Sequence, residues 1–387
     1  MSTTNGNAAL TALQALRADL VSRFPEREAV VDGALCALLA GEHVLLLGPP
    51  GTAKSALVRA LVQSIQGRYF EQLLTKFSTP EELFGPISLK ALENDAFTRV
   101  VTGKLPEAEV AFVDEVFKAN SAILNSLLTL LNERVFHNGG PPMQCPLVSL
   151  FAASNELPEG KELEALFDRF LLRFEVSYLL RRSNFRSVLT APKHAGAARL
   201  DMAMLRAAQQ DVEQVRVTDA TVDALMDIRD GMKPEGLVAS DRRWVKSLRL
   251  AQASAYLAGA TETTPEDLSF LVDSLWREPK DRAKVARVVG PLADPVSYQA
   301  TEILDAALEQ AAKVEGLRAA GDRQAFVGQA AKVLDDFRAQ QRKLASLSTS
   351  GRKAKEVVAS ATRQVQQLRD ELARAVSQGL GLGGRAA

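Results

Sequence analysis

His43-Val-Leu-Leu-Leu-Gly-Pro-Pro-Gly-Thr-Ala-Lys-Ser55 decides how this chain is read. Its first five residues are an apolar run bounded by Gly41 and Gly48, without polar alternation, the pattern of a strand covered on both faces in a parallel sheet. The residues after it open a helical pattern over Ala56 to Gln66. Strand, glycine-rich turn and helix start, in that order, suit a phosphate cradle. The loop of Gly48, Pro49, Pro50, Gly51, Thr52 and Ala53 gathers backbone N–H groups into an anion nest at a helix N-terminus. Lys54 supplies a point charge for β- and γ-phosphates, and the Ser55 hydroxyl can ligate magnesium. Short glycine motifs also match by chance; the strand before and the helix after argue against chance here. One position departs from the pattern, since Ala53 stands where the last glycine before the lysine is usual. Alanine is tolerable there only in helical rather than left-handed geometry.

About sixty residues on, Glu109-Val-Ala-Phe-Val113 is a second apolar strand, and it ends in Asp114 and Glu115. Asp114, at the carboxyl end of the strand, can hold a magnesium shell; Glu115 can orient and polarise an attacking water. A plain helix cap is the alternative for Asp-Glu, and the phosphate loop upstream weighs against it. A third run, Leu147-Val-Ser-Leu-Phe-Ala-Ala153, places Asn155 at the same sheet edge, within reach of a γ-phosphate or the water.

Composition sets the frame. The chain has 387 residues, 47% of them hydrophobic and 24% charged, enough for two or three globular domains. Forty-seven basic residues balance forty-seven acidic ones, so no global field draws the chain to nucleic acid, and no stable nucleic-acid partner is expected. Two cysteines and three scattered histidines exclude a disulfide framework and a zinc module. Met1 to Asn7 lacks a signal-peptide pattern and no apolar run approaches a membrane span, so a cytoplasmic location is expected.

Leu10, Leu13, Leu16, Leu20 and then Val30, Ala34, Leu38 recur at helical spacing ahead of the first strand, and helical stretches such as Ala119 to Glu133 separate the strands. The expectation is an α/β core with a parallel sheet over residues 1–190. Strand signals stop near residue 183. Residues 191–280 read as an all-helical domain, with helix starts at Thr218 and Thr264. Beyond a break from Gly290-Pro291 to Asp294-Pro295, two seams follow: Phe326, Ala330, Val333, Phe337, Leu344 and Val358, Ala361, Val365, Leu368, Leu372. They predict an antiparallel coiled-coil hairpin within 281–380, or else a two-helix extension packed on its own chain. Residues 381–387 read as a flexible tail.

The phosphate loop, the Asp114-Glu115 strand, Asn155 and the helical region after them together resemble the AAA+ ATPases. More narrowly, Leu105-Pro-Glu-Ala-Glu-Val110, Ile123-Leu-Asn-Ser-Leu-Leu-Thr-Leu-Leu-Asn-Glu-Arg134, Ala152-Ala-Ser-Asn-Glu-Leu-Pro158 and Ser240-Asp-Arg-Arg-Trp244 are similar to the MoxR family, nearest its RavA-type subgroup. That subgroup carries a β-rich insert for which no signal is legible here. The resemblance covers about residues 10 to 280 and leaves 281–387 without a guide.

The resemblance implies an AAA+ P-loop core and helical lid using ATP and Mg2+, in a homo-oligomeric, hexameric ring that remodels or matures a protein client. A separate adaptor with a VWA domain is implied, because Ser346-Leu-Ser-Thr-Ser350 lacks the leading acid of that domain's metal motif. Leu166-Phe-Asp-Arg-Phe170 matches the arginine-finger segment, so Arg169 would reach a neighbouring subunit's nucleotide, with Arg173, one helical turn on, the weaker candidate. Arg242 would be the sensor reaching the γ-phosphate within its own subunit; Arg243 is the alternative sensor or a surface charge. Phe84 to Lys104 and Arg134 to Gly140 would form hairpins facing the ring pore, or plain surface hairpins. A nucleic-acid motor or loader and a nucleotide-dependent scaffold are the competing functions. An intact Glu115 and Arg169 weigh against the scaffold.

Overall fold

The run His43–Leu47 is strand β1, buried along its whole length, in the computed structural model, which describes residues 3–190, 199–349 and 351–379. Ahead of it, helices α1 (Thr3–Arg23) and α2 (Glu28–Ala40) place Leu13, Leu16, Leu20, Val31 and Leu35 in the core, all fully buried. Each such side chain contributes about 1.5–3 kcal/mol over exposure. After β1 come α3 (Lys54–Gln63), β2 (Ile65–Gln66), β3 (Tyr69–Leu73), α4 (Pro80–Phe84), α5 (Leu89–Leu92), β4 (Val110–Asp114) and α6 (Ser121–Glu133). Then follow β5 (Val135–Phe136), β6 (Met143–Gln144), β7 (Ser149–Ser154), α7 (Lys161–Phe167), β8 (Phe170–Glu175) and α8 (Arg182–Thr190).

Five strands form one parallel sheet in the order β3-β4-β7-β1-β8. Parallel neighbours need crossovers, and the intervening helices supply them. Register aligns the carboxyl ends: Leu47 lies opposite Ser154 and Glu175, and Leu73 opposite Asp114. Two of the five strands have weak sequence signals. In β3 only Phe70 is buried, as suits an edge strand, and β8 carries Arg173 at its centre. Arg173 is therefore on a strand, not one helical turn beyond Arg169.

Among the described residues after 183, the β structure is β9 (Leu200–Asp201), which pairs with β2, and an isolated Arg216–Glu262 bridge; the regular elements are otherwise helical. This region holds α9 (Met202–Gln214), α10 (Asp219–Met232) and α11 (Asp241–Leu257); the start at Thr264 opens a 3-10 helix, Pro265–Asp273, with a Thr264–Asp267 capping box. The expected 190/191 boundary borders residues outside those described, and the expected tail at 381–387 lies outside them. Of the two inserts, β5 and β6 form a short antiparallel hairpin, whereas 84–104 carries α5 and closes through an Ile87–Arg99 bridge. Asn138 ties them together, accepting from the Arg99 N–H at 2.6 Å and donating to its carbonyl at 3.1 Å.

The chain divides into two compact units, Met1–Leu225 with Met232–Val285, and Met226–Gly231 with Ala286–Ala387. After α12 (Arg282–Ala293), the second unit has three long helices rather than the two expected: α13 (Pro295–Ala319), α14 (Arg323–Ser346) and α15 (Ala354–Gly379). The predicted seams on α14 and α15 are buried, apart from half-buried Leu368, and α13 adds Ala300, Ala307 and Val314 to the same core. Those small side chains leave a faint hydropathy trace. Pro291 lies inside α12, so the chain turns at Asp294 alone, whose carboxylate accepts from Ser297 N–H and caps α13. Among the described residues no helix is long and apolar enough to cross a membrane.

Candidate functional site

The loop from Gly48 to Ala53 joins β1 to α3 at the carboxyl edge of the sheet, where strand ends and a helix N-terminus converge. Gly48 has φ 150° and donates to the Ser154 carbonyl at 3.1 Å; a side chain there would lie 2.1 Å from the Val176 carbonyl oxygen. Only glycine brings the backbone this close to β8. Ala53 adopts φ 67°, ψ 22°, which is left-handed, against the requirement set above for an alanine at this place. The loop imposes it, at about 1–2 kcal/mol of strain. Thr52 Oγ1 donates to Pro49 O at 3.0 Å, and Lys54 Nζ donates to the carbonyls of Gly48 and Pro49 at 2.6 and 2.9 Å, so the lysine closes the loop on itself. Burial lowers the Lys54 ammonium's pKa, opposed by the charges of Asp114 and Glu115.

Asp114 ends β4 on the same edge. Its Oδ2 accepts from Ser55 Oγ at 2.9 Å and its Oδ1 from the Glu115 N–H at 3.0 Å. A hydroxyl and a carboxylate 2.9 Å apart are hard oxygen donors suited to magnesium, which takes few protein ligands and shares the rest with phosphate and water. Glu115 is itself left-handed, φ 55°, a geometry rare outside glycine. Its Oε2 is buried without a hydrogen-bond donor, and its nearest cation, Lys118 Nζ, is 3.6 Å away. Asn155 is exposed one residue beyond β7, on this edge.

The arginines lie elsewhere. Phe170 pairs with His43, at the amino ends of β8 and β1. Arg169 therefore stands at the opposite edge of the sheet, roughly 15 Å along the strands from its own phosphate loop. Its Nε is buried without a partner, and burial together with the charge of Arg242 disfavours its cationic form. Arg242 shares that edge: it donates to Asp168 Oδ2 at 3.0 Å and Asn132 Oδ1 at 2.9 Å. Arg242, expected as a sensor for the γ-phosphate, thus stands here with Arg169 and away from its own phosphate loop, and the cause is Arg243. That side chain is 4% exposed and donates to the carbonyls of Leu171, Ser274, Phe170 and Asp168 at 2.7 to 3.0 Å, which pins the start of α11 to the amino end of β8. Arg243 is thus not a surface charge: it is buried and ties α11 to β8. Arg173 is similar, buried and donating to Trp276 O at 2.5 Å over the Phe167 ring. Asp168 is pulled two ways. Burial raises its pKa; the larger combined effect of Arg243, Arg242 and Arg173 lowers it, so it holds its charge.

Replacing Arg243 by methionine fills much of the volume but removes its hydrogen bonds to the carbonyls of Leu171, Ser274, Phe170 and Asp168 and to Asp168 Oδ1, leaving Phe170 O to Arg173 and Asp168 Oδ2 to Arg242. The expected loss is about 3 kcal/mol or more, read as a lower urea midpoint at unchanged slope.

This strand order, with a phosphate loop after the interior strand β1 and an acidic pair closing another, defines a P-loop nucleotide-binding core with a helical lid. Residues 11–217 match the family described as the MoxR domain in the MoxR-vWA-beta-propeller ternary systems, and residues 220–289 match the AAA lid domain. The chain belongs to the MoxR family of AAA+ ATPases. It is 40% identical over 307 residues to the uncharacterized protein MJ0812 of Methanocaldococcus jannaschii, covering 78% of this chain and 82% of that one. It is 27% identical over 156 residues to the chaperone MoxR1 of Mycobacterium tuberculosis, 39% of this chain and 41% of that one. A crystal structure of a Cytophaga hutchinsonii protein shares the fold, with TM-score 0.61 at 16% identity over 74% of this chain and 95% of that one.

Proposed function

We propose that this chain hydrolyses ATP at a site formed between copies of itself, and that the resulting ring, hexameric by family resemblance, remodels a protein client together with a VWA-domain partner. The observation that carries the reading is the separation of the phosphate loop and Arg169 to opposite edges of one sheet. A chain built this way lacks in its own site the arginine that a neighbour, stacked head to tail, supplies.

Within the site, Lys54 and the loop's N–H groups hold the β- and γ-phosphates, while Ser55 and Asp114 hold magnesium. When bound, the ion neutralises charge on the phosphates and orients them. Glu115 accepts a hydrogen bond from the attacking water and Asn155 steadies it. Arg169 and Arg242 of the adjoining copy present two cations to the transferring group. The partner reading is supported by the family description, which names MoxR-vWA-beta-propeller ternary systems, and the client reading by the similarity to the chaperone MoxR1.

A site completed by a second copy makes turnover depend on assembly. The specific ATPase activity of the natural chain is expected to rise with protein concentration, in step with oligomer measured by sedimentation velocity. Constant specific activity from a species that stays monomeric would overturn the shared site.

A further inference from the structure

The acidic pair that closes β4 runs into a short 3-10 helix, Val116–Lys118, with Glu115 as its N-cap. Such a helix turns once every three residues, so side chains three apart eclipse and Lys118 is set over Glu115. The Lys118 N–H donates to the Glu115 carbonyl at 2.9 Å, and Lys118 Nζ lies 3.6 Å from Glu115 Oε2. The turn that joins them is anchored. Val116 and Phe117 are buried, the Phe117 ring lies 6.2 Å from that of Phe167, and Asn120 caps α6 while its Nδ2 donates to Ser78 O at 2.9 Å. Among the described residues Lys118 pairs with no other carboxylate. An ion pair of this spacing on an open helix face is ordinarily a solvated contact of small effect. Here both side chains are partly shielded, at 30% and 20% exposure, and one of them is the acid of the nucleotide site. The separation of 3.6 Å exceeds hydrogen-bond reach, so the ammonium lends its charge to Oε2 without filling a lone pair.

We infer that Lys118 is a positioning residue for hydrolysis: its charge holds the Glu115 carboxylate in the orientation that takes the attacking water, without contributing to the binding of nucleotide. The inference rests on the reading that Glu115 activates that water. A carboxylate beside a triphosphate is repelled by it, and one with no hydrogen-bond donor on Oε2 is free to swing away as nucleotide arrives. A cation fixed by the 3-10 turn offsets that repulsion. It also leaves Oε2 open to the water, which a hydrogen-bonding partner would not. Asp114 needs no such help, since Ser55 Oγ and the Glu115 N–H orient its two oxygens at 2.9 and 3.0 Å.

The full-length chain carrying Lys118→Met tests this by single-turnover ATP hydrolysis beside an equilibrium titration with a fluorescent ATP analogue. The hydrolysis rate is expected to fall about tenfold, as for a misplaced reacting group, with analogue affinity and urea midpoint unchanged. Lys118→Arg should keep most of the natural rate. In a Glu115→Gln background no carboxylate charge is left to hold, so adding Lys118→Met there should slow hydrolysis no further. Hydrolysis at or above the natural rate in Lys118→Met would overturn the inference. So would a comparable further loss in the Glu115→Gln background, weakened analogue binding, or a rate loss that accompanies a lowered urea midpoint. The outcomes separate the two roles. If Glu115→Gln is slowed and Lys118→Met is not, Glu115 keeps its role and Lys118 loses this one; if Glu115→Gln hydrolyses ATP at the natural rate, the role of Glu115 falls and that of Lys118 with it.

Discussion

Arg169→Ala should bind ATP as the natural chain does and hydrolyse it about 10³-fold more slowly. Mixed in equal amounts with Lys54→Ala, itself unable to bind, it should recover about one quarter of natural activity, because a working junction needs an intact loop on one side and an intact arginine on the other. The asymmetry comes from the sheet. Leu47 and the loop sit at one end of the β1–β8 pair, Phe170 and Arg169 at the other, and parallel register leaves no way for one chain to bring them together. Arg169 is also prepared for an anion. Its Nε is buried and unpartnered, and its cation lies in the field of Arg242, so an incoming phosphate would relieve both penalties. No recovery on mixing, with co-assembly shown by pull-down between differently tagged subunits, would contradict action across a subunit boundary.

The parts of this arrangement that sequence reveals are those where local pattern and fold agree. β1 and its loop are legible because a doubly covered strand has no polar alternation and because glycine, lysine and serine recur at fixed offsets. The left-handed backbone at Ala53 and Glu115 is not, since neither residue prefers it and loop closure enforces it from outside. Arg242 and Arg243 show how near the signal came. Arg243, Ser247 and Leu250 lie at helical spacing on the buried face of α11, and Arg242 falls off that phase, so burial follows from periodicity. What periodicity cannot give is the edge of the sheet on which α11 begins. That depends on Arg243 reaching carbonyls of β8 more than seventy residues away in sequence. The bundle helix α13 is hidden for a different reason: a seam of Ala300, Ala307 and Val314 packs well and yet has little hydropathy.

Glu115→Gln should keep nucleotide affinity and lower turnover about 10²- to 10⁴-fold. In the proposed site, ground-state phosphate contacts belong to Lys54 and the loop, so a change at Glu115 should appear in kcat and leave binding alone. The geometry separates the two adjacent acids. Both oxygens of Asp114 are engaged, one by Ser55 and one by the Glu115 N–H, at 2.9 and 3.0 Å, whereas Glu115 Oε2 has no donor and only Lys118 at 3.6 Å. An oriented, unfilled acceptor beside a phosphate cradle is placed to take a water's proton, whereas Asp114 is oriented by Ser55 and the Glu115 N–H with lone pairs left for a cation. Glutamine keeps the shape of the side chain and removes the charge and the basicity, so the left-handed turn at 115 and the hydrogen bonds around it should survive. The measurement is single-turnover hydrolysis beside an equilibrium titration with a fluorescent ATP analogue. Turnover at the natural rate with glutamine at 115 would move the water-activating role off this residue, and weakened binding would mean that Glu115 holds the ground state. If both expectations hold, the variant accumulates in its ATP-bound form, and under the proposed remodelling function pull-down with it should retain a protein client.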